Sequence, residues 1–213
     1  MIEVISFDFD GTLTKTRFAD LFWLEGVPKL YATENNLSLS EARRILLSEY
    51  DKVGKERIEW YDPDYWFNRF NINYSWHKLM ENYSFAIELY PDVISTLEYL
   101  RDKYELIVIS NARKEFIQIQ MDKTGLNGFF NRVFSSVSDF SMVKKNSQVY
   151  EEVCSILQIR KNQMIHIGDD YRFDYEVPRS VGINSIYLDR EGNSDGEFVV
   201  HSLKEIPDVI SIF

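Results

Sequence analysis

The chain has 213 residues, a length that suits one domain or one domain carrying an insertion. Its formal net charge of −10 opposes a general affinity for nucleic acid or anionic membranes, because both carry dense negative charge. The only cysteine, Cys154, excludes an internal disulfide, and its apolar neighbours at helical spacing predict a buried packing thiol. The sequence shows no signal-peptide pattern and no apolar run near the ~20 residues of a membrane span, so we expect a cytoplasmic protein.

The first predicted element is a strand that leads directly into two carboxylates. Ile2, Val4, Ile5 and Phe7 are typical of a buried strand, and the stretch F-D-F-D-G-T begins at its end. Asp8 and Asp10 are followed at once by Gly11 and Thr12. A buried carboxylate is costly unless a metal or several hydrogen-bond donors compensate its charge. Two carboxylates at one strand end therefore indicate a functional site.

The next segment, residues 15–88, is rich in aromatic residues and contains all four tryptophans, but no convincing strand. The sequence S-L-S-E at 38–41 is the pattern of a capping box at a helix start. Residues 62–63, Asp-Pro, supply a capping residue and a first-turn proline for another helix. We therefore predict an all-helical cap at 15–88, inserted into a core made of residues 1–14 and 89–213.

From residue 91 onward, predicted helices and strands alternate. The continuously apolar run at 104–110 is typical of a parallel strand buried on both faces. The other predicted strands are residues 132–136, 163–169 and 183–189, the last being the final strand. The predicted helices are one that opens at Pro91 and buries Val93, Ile94, Leu97 and Leu100, then 113–124, 146–158 and a short helix to Val181. This alternation predicts an α/β fold, a doubly wound parallel sheet covered by helices on both faces.

Polar side chains follow several of the predicted strands. In an open parallel sheet, ligands bind outside the carboxyl ends of the strands, so these side chains are expected to meet at one edge. The candidate site residues are Asp8, Asp10, Thr12, Ser110, Asn111, Lys144, Asp169, Asp170 and Asp174. Carboxylates, a hydroxyl and a lysine thus form one predicted rim.

This set of side chains suits phosphoryl transfer through a covalent intermediate. A carboxylate can act as the nucleophile, and carboxylates that also hold Mg²⁺ neutralise the phosphate that they attack. Gly11 permits a turn whose backbone N–H groups would hold phosphate oxygens. A lysine would stabilise the charge that develops in the transition state.

Four segments, in this order, resemble the motifs of the haloacid dehalogenase superfamily, specifically its phosphatase branch with a helical cap after the first strand. The first, D-x-D-G-T-L-T, is intact at residues 8–14. The second is the apolar strand that ends in Ser110, and the third is Lys144 ahead of a helix. The fourth, G-D-x-x-x-x-D, occupies residues 168–174. The resemblance covers the whole predicted core, whereas the cap resembles the family only in its placement and helicity.

The resemblance implies a role for each catalytic residue. Asp8 would be the nucleophile, and Asp10 the general acid and base. Ser110 would hold a phosphoryl oxygen, and Lys144 would stabilise the phosphoryl charge. The residues expected to bind the substrate are Thr12, Ser110, Asn111 and Lys144.

The resemblance also implies a Mg²⁺ cofactor. Asp8, the backbone carbonyl of Asp10, and Asp169 would bind the ion, while Asp174 would mainly orient the metal shell. Asp170 adds a further negative charge, which either reaches the metal or simply decorates a helix N-terminus. His166 lies in the middle of a predicted strand, where we expect a hydrogen-bonded core histidine rather than a ligand.

Two alternatives concern residues other than the carboxylates. The proline that often follows the motif lysine is replaced by Lys145, so either lysine could serve, and the alignment with the following helix favours Lys144. The aromatic residues of the cap either line a pocket for an apolar or aromatic leaving group or form the core of a small helical module.

The sequence therefore predicts Mg²⁺-dependent hydrolysis of a small phosphate monoester, with a phosphorylated metabolite as partner and a monomer or small homo-oligomer as the assembly. A haloacid dehalogenase would not need Asp10, which argues against that activity. A phosphosugar mutase would keep Asp10 and transfer the phosphoryl group to another hydroxyl. A non-catalytic phosphate-binding regulatory protein is a third alternative. The sequence does not name the substrate.

Overall fold

A computed structural model of the protein describes residues 1–144 and 146–213 and contains one six-stranded sheet. The strands are β1 Val4–Phe7, β2 Glu105–Ser110, β3 Arg132–Ser135, β4 Met164–Gly168, β5 Asn184–Leu188 and β6 Val199–Val200. All pairings are parallel, in the order β3-β2-β1-β4-β5-β6. The predicted parallel sheet is thus confirmed, although the expectation that 183–189 is the final strand was wrong, because β6 follows.

Helices precede and follow most strands. They are α1 Arg17–Leu21, α2 Val27–Asn35, α3 Leu39–Val53, α4 Pro63–Arg69, α5 Trp76–Tyr83, α6 Val93–Arg101, α7 Lys114–Thr124, α8 Ser136–Phe140, α9 Gln148–Leu157, α10 Val177–Ser180 and α11 Ile206–Ile210. Two π-helical segments, Phe22–Gly26 and Tyr171–Glu176, lead directly into α2 and α10. The short helix predicted to end near Val181 therefore has π geometry over its first part.

Both faces of the sheet are buried, as the continuous apolar strands require. On β2, Leu106 and Val108 belong to the cluster that packs under α6, α7 and α11. Ile107 and Ile109 point the other way, into the cluster formed with α9. Cys154 lies in the second cluster with 4% of its surface exposed, so the predicted packing thiol is confirmed.

The predicted apolar face of α6 is wrong at one residue. Val93, Leu97 and Leu100 are fully buried, but Ile94 is 36% exposed, and Thr96 is buried in its stead. The buried positions follow the spacing i, i+3, i+4, i+7, which describes a single helical stripe. Ile94 lies outside that stripe, so its hydrophobicity alone was misleading.

The segment between β1 and α6 contains α1 to α5 and is here called the helical insertion, residues 17–86. The predicted capping box is confirmed, because the Ser38 side chain accepts a hydrogen bond from the Glu41 N–H and the Glu41 carboxylate accepts one from the Ser38 N–H. Asp62 caps α4 as predicted. Aromatic rings fill the core of the insertion around the fully buried Trp66, and Phe116 of α7 joins this cluster.

The chain enters and leaves the helical insertion through two segments that lie side by side. Thr14 forms an antiparallel bridge with Leu89, and the Lys15 N–H donates to the Glu88 carbonyl over 2.9 Å. The side chains of Lys15 and Glu88 form an ion pair of 2.6 Å. In the part of the chain that the structure describes, no helix combines the length and apolarity needed to cross a membrane.

The strand order places the candidate site. The chain runs outward from β1 through β2 to β3 and then crosses back to β4 on the other side of β1. Such a reversal leaves a crevice beyond the carboxyl ends of the two central strands. Here those strands are β1 and β4, which end in the first and fourth motif segments.

Candidate active site

Three carboxylates meet at the carboxyl ends of β1 and β4. Phe7 and Ile167 are paired in the sheet, so Asp8 and Asp169, which lie just beyond these strand ends, are neighbours. Asp174 reaches the same place from the π-helical segment that follows β4. Each of the three residues offers one oxygen, and these oxygens lie within 4.8 Å of one another. Hard oxygen donors of this kind are the ligands that Mg²⁺ prefers.

Lys144 lies among these carboxylates with only 2% of its side chain exposed. Its Nζ donates to Asp8 Oδ1 and to Asp174 Oδ1, each over 2.6 Å. Burial alone would lower the pKa of Lys144, but the charges of Asp174 and Asp8 raise it above its ordinary value. The ammonium group is therefore a permanent cation between two carboxylates. Lys145, the alternative lysine, lies outside the described residues.

The carboxylates of this group carry more negative charge than Lys144 compensates. Burial raises the pKa of Asp8 well above its ordinary value, although Lys144 opposes this. Burial, together with the charge of Asp174, raises the pKa of Asp169 to about 7. Carboxylates whose pKa values are raised in this way lack compensating positive charge, and a divalent cation would supply it. The donor set therefore fits a metal ion of the Mg²⁺ class.

Asp174 is fully buried and is held by hydrogen bonds on both oxygens. Its Oδ1 accepts from His166 Nε2 over 3.1 Å in addition to Lys144, and its Oδ2 accepts the Asp170 N–H over 3.0 Å. Burial would raise the pKa of Asp174, but Lys144 and His166 hold it below its ordinary value. Gly168 makes room for this side chain, because a Cβ at that position would overlap the Asp174 carboxyl group.

His166 is the predicted hydrogen-bonded core histidine, and that prediction is confirmed. It is fully buried, its Nδ1 shares a hydrogen bond of 2.9 Å with Ser6 Oγ, and burial lowers its pKa. A neutral ring that donates from Nε2 to Asp174 accepts from Ser6 at Nδ1. No local pattern in the sequence indicates that this histidine supports a carboxylate of the site.

Asp10 lies near Asp8 but has different partners. Its Oδ1 accepts from Gln120 Nε2 over 3.0 Å and from Thr14 Oγ1 over 3.4 Å. Burial raises the pKa of Asp10 to about 6, which these two hydrogen bonds partly oppose. A carboxyl group with such a pKa can both hold and release a proton near neutral pH.

Gln120 is a site residue that the sequence analysis missed. It is fully buried on α7, between the buried residues Ile117 and Met121. A polar side chain on the apolar stripe of a helix needs a hydrogen-bond partner. That pattern could have identified Gln120, although it could not have identified Asp10 as the partner.

The turn after β1 depends on Gly11. Its φ is +85°, and a Cβ there would overlap the Asp169 carboxylate. The predicted glycine turn is thus confirmed, and the glycine also lets Asp169 approach the backbone. Thr12 Oγ1 donates to Asp169 Oδ1 over 3.0 Å, so the Thr12 hydroxyl orients a carboxylate of the acidic group.

Arg190, just beyond β5, is a second residue that the sequence analysis missed. Its guanidinium donates to the carbonyl oxygens of Thr12 over 2.6 Å and Gly11 over 3.3 Å. It also forms an ion pair of 3.1 Å with the buried Asp92. Arg190 follows a strand in the same way as the predicted site residues do, so the same rule could have found it.

Ser110 is the last residue of β2, Asn111 follows it, and both line the same cavity as Asp8. Ser110 Oγ accepts the Ala112 N–H over 3.2 Å. Asn111 Oδ1 accepts the backbone N–H of Lys144 over 2.8 Å, and its Nδ2 donates to the Tyr61 hydroxyl over 3.3 Å. Asn111 therefore connects the loop that carries the lysine to the helical insertion.

Asp170 does not belong to the group of three carboxylates. Its Oδ1 accepts the N–H groups of Arg172 and Phe173, both over 3.0 Å, so it caps the following helical segment. Its Oδ2 forms an ion pair of 2.6 Å with Lys55 of the helical insertion. Of the two interpretations of Asp170, the structure favours a helix N-terminal charge.

A cavity of about 440 Å³ opens above this rim, between the sheet and the helical insertion. Its floor includes Asp8 and Asp10, and its walls include Trp23, Trp60 and Tyr61 of the insertion. Most other aromatic residues of the insertion, such as the fully buried Trp66, form its own core. The interpretation as the core of a helical module is confirmed for these residues, while the use of the cavity by a leaving group stays a prediction.

Residues 2–182 match the haloacid dehalogenase-like hydrolase family, and this chain belongs to that family. The resemblance inferred from the four motifs is thereby confirmed, and the protein is a haloacid dehalogenase-like hydrolase. Among curated proteins, GMP/IMP nucleotidase YrfG of Escherichia coli (strain K12) is 22% identical over 169 residues, which cover 79% of this chain and 74% of the nucleotidase.

Solved structures with the same fold include two different enzyme types. A HAD phosphatase from Thermococcus onnurineus has a TM-score of 0.87 and 24% identity, and the match covers 98% of each chain. A 2-haloacid dehalogenase from Pseudomonas syringae pv. Tomato DC3000 has a TM-score of 0.73 and 21% identity, covering 100% of this chain and 99% of that chain. Because the fold accommodates both, the choice of activity depends on the site residues.

We expect Gly11→Ala to abolish activity, whereas Gly125→Ala should reduce only stability. Both glycines have positive φ, but nothing lies within 4 Å of a Cβ at Gly125, while one at Gly11 would displace Asp169. Backbone strain of this kind costs about 1–2 kcal/mol. Urea unfolding and phosphate release from an aryl phosphate would be measured for both variants. Equal activity in the two variants would contradict a functional role for the Gly11–Asp169 approach.

We expect Asp169→Asn to stabilise the metal-free protein, and more so at high pH. The folded pKa of Asp169, about 7, lies above that of an unfolded aspartate. Stability is therefore greatest below the unfolded pKa and is lost as pH rises through the folded value. Between about pH 5.5 and pH 8, the advantage of the variant should grow by roughly 2 kcal/mol. Urea unfolding in excess chelator at both pH values measures this, and an advantage independent of pH would contradict it.

Proposed function

We propose that the protein is a Mg²⁺-dependent phosphatase that hydrolyses a small phosphate monoester through an aspartyl-phosphate on Asp8. The observation that carries this proposal is the pairing of Asp8 with the buried Lys144, at the floor of a cavity, beside a carboxyl group with a pKa of about 6. A nucleophile, a fixed cation and a proton donor are thus held in one place. The division into a core, residues 1–14 and 89–213, and a cap, residues 15–88, is part of the proposal.

The metal would be held by Asp8, Asp169 and the backbone carbonyl of Asp10, with Asp174 orienting the site. When bound, Mg²⁺ would neutralise the negative charge of the phosphate and of the carboxylate that attacks it. The clustering of the three carboxylates and the raised pKa values of Asp8 and Asp169 support this assignment. Thr12 and His166 would fix the orientation of Asp169 and Asp174 through their hydrogen bonds.

In the first step, an oxygen of Asp8 forms a bond to phosphorus while the bond between phosphorus and the leaving oxygen breaks. Asp10 donates its proton to that leaving oxygen, and Gln120 and Thr14 keep its carboxyl group in place. Lys144 lies against Asp8 and would stabilise the charge on the transferring phosphoryl group. The Ser110 hydroxyl would donate a hydrogen bond to a phosphoryl oxygen.

In the second step, Asp10, now a carboxylate, removes a proton from water. The water oxygen forms a bond to phosphorus, and the bond between phosphorus and Asp8 breaks. Inorganic phosphate leaves, while Asp8 regains its carboxylate and Asp10 its proton. Thr12 and Asn111 would contribute to substrate binding by shaping the turn and the loop that surround the phosphate, in keeping with their contacts.

The site favours a phosphatase over its rivals. A dehalogenase needs no proton donor at the position of Asp10, yet Gln120 and Thr14 both hold this carboxyl group in place. The sequence similarity to a GMP/IMP nucleotidase supports monoester hydrolysis and makes nucleoside monophosphates the first natural compounds to test. A phosphosugar mutase and a non-catalytic phosphate-binding protein stay as alternatives, and assays of transfer and of turnover separate them.

We expect phosphate release from phenyl phosphate to stop after exhaustive chelation and to return with Mg²⁺ but not with Ca²⁺. Ca²⁺ should inhibit, because its larger and looser coordination misplaces the nucleophile. The measurement is the steady-state rate at fixed pH as each ion is added back to chelated enzyme. Undiminished turnover without divalent ions would contradict the metal assignment.

We expect Asp10→Asn to lower steady-state turnover by ~10²–10⁴-fold, the usual contribution of a positioned acid–base group. Asparagine can still accept the hydrogen bond from Gln120, so the fold should be preserved. An aryl phosphate needs little acid help in the first step. Rapid mixing with an aryl phosphate should therefore release a burst of phenol, followed by slow turnover of the aspartyl-phosphate.

The matched control is Asp8→Asn, which should show neither burst nor turnover, because it lacks the nucleophile. Unaltered steady-state rates of Asp10→Asn on alkyl phosphates would contradict the proposed role of Asp10. Phosphoryl transfer to an added sugar hydroxyl that outruns transfer to water would instead favour the mutase.

A further inference from the structure

The part of the cavity that would hold the leaving group carries two additional carboxylates. Asp20 of α1 and Asp51 of α3 line the cavity beside the aromatic rings of Trp23 and Trp60. Both carboxylates belong to exposed residues of the helical insertion. Asp20 accepts a hydrogen bond of 2.8 Å from Thr16, which leaves its charge in place. In residues 1–144 and 146–213, no basic side chain forms an ion pair with either carboxylate.

The basic side chains that line the described cavity already have carboxylate partners. Lys144 is bound to Asp8 and Asp174. Arg113 forms ion pairs with Asp62 over 2.6 Å and with Asp64 over 2.9 Å. In the proposed mechanism Lys144 faces the transferring phosphoryl group, and Arg113 is engaged by carboxylates of its own. Within residues 1–144 and 146–213, no unpaired basic side chain lines the cavity, so a second anion there would meet carboxylates without compensation.

Asp20 and Asp51 share one cavity with the reacting groups. Both line the cavity whose floor includes Asp8 and Asp10. Unit charges near a protein surface interact by amounts that change an equilibrium severalfold. A charged substituent bound next to Asp20 and Asp51 would experience an interaction of this size.

We propose that this cavity selects phosphate monoesters whose leaving group is apolar or aromatic and carries no second anionic group, with neutral and cationic leaving groups accepted. This inference rests on the proposed phosphatase function and adds the substrate class. Trp23, Trp60 and Tyr61 provide apolar and aromatic surface for such a leaving group, while Asp20 and Asp51 repel carboxylates and second phosphates. Compounds with two phosphates and phosphorylated carboxylic acids are therefore poor substrates.

The test uses three aryl phosphates that differ only in a charge held away from the ring. They are 4-(2-aminoethyl)phenyl, 4-(2-hydroxyethyl)phenyl and 4-(2-carboxyethyl)phenyl phosphate. The two methylene groups keep the leaving-group acidity nearly equal, so kcat/KM reports binding of the substituent. We expect kcat/KM for the carboxylate compound to be at least about tenfold lower than kcat/KM for the alcohol. The value for the amine should equal or exceed that for the alcohol.

Variants connect this discrimination to the two carboxylates. In Asp20→Asn/Asp51→Asn, the ratio of kcat/KM for the amine over the carboxylate compound should fall severalfold. Asp102→Asn is the matched control, because Asp102 is exposed on the core and does not line the cavity, so its ratio should equal that of the wild type. About 0.5 M salt should also reduce the wild-type ratio, since exposed charges are screened.

The outcomes separate the two proposals. No phosphate release from any of the three compounds, with Mg²⁺ present, would contradict the phosphatase function itself. Turnover of the carboxylate compound as fast as the alcohol would overturn the substrate class alone. A ratio that stays unchanged in Asp20→Asn/Asp51→Asn would likewise contradict it, because the discrimination would then come from elsewhere.

Discussion

A single buried ammonium group holds the carboxylates of the site together. Lys144 Nζ lies 2.6 Å from oxygens of both Asp8 and Asp174, and all three groups are removed from most of the solvent. Buried charges of one sign repel strongly, and loss of one partner of a buried pair leaves an uncompensated charge. The backbone of Lys144 is in turn fixed by Asn111. The loops after β1, β2 and β4 therefore depend on one another through this cation.

At the ends of β1 and β4, uncharged residues make room for the carboxyl groups. Gly168 leaves space for the carboxyl group of Asp174, and Gly11 leaves space for that of Asp169. His166 and Thr12 donate to these same carboxylates from within the protein. The positive charge still missing from the group is what a divalent cation brings. A folded protein that tolerates such an imbalance retains electrostatic strain, and strain of this kind is concentrated at functional sites.

Much of the fold follows from local patterns. A continuous apolar run predicted β2, and the capping box at Ser38 marked α3, because burial and capping leave direct traces in sequence. β6 was not predicted, because a strand of two residues is too short to show an alternating pattern. Ile94 was wrongly predicted to be buried, because packing determines which stripe of α6 faces the core. The strand-end rule brought the acidic residues together correctly, whereas the partnership of Gln120 with Asp10 joins distant segments and has no local signature.

The paired segments at Thr14 and Leu89 have a consequence for how this architecture can change. The helical insertion begins and ends at adjacent points, so a segment of different length could replace it without moving β1 or α6. Loop ends that already lie together make the entropy of closure depend only weakly on what is inserted. A replacement would have to cover Phe116, the core ring that packs into the aromatic cluster of the insertion. A protein with a replaced insertion would keep the acidic rim and Lys144. The proposed chemistry could then act on a different leaving group.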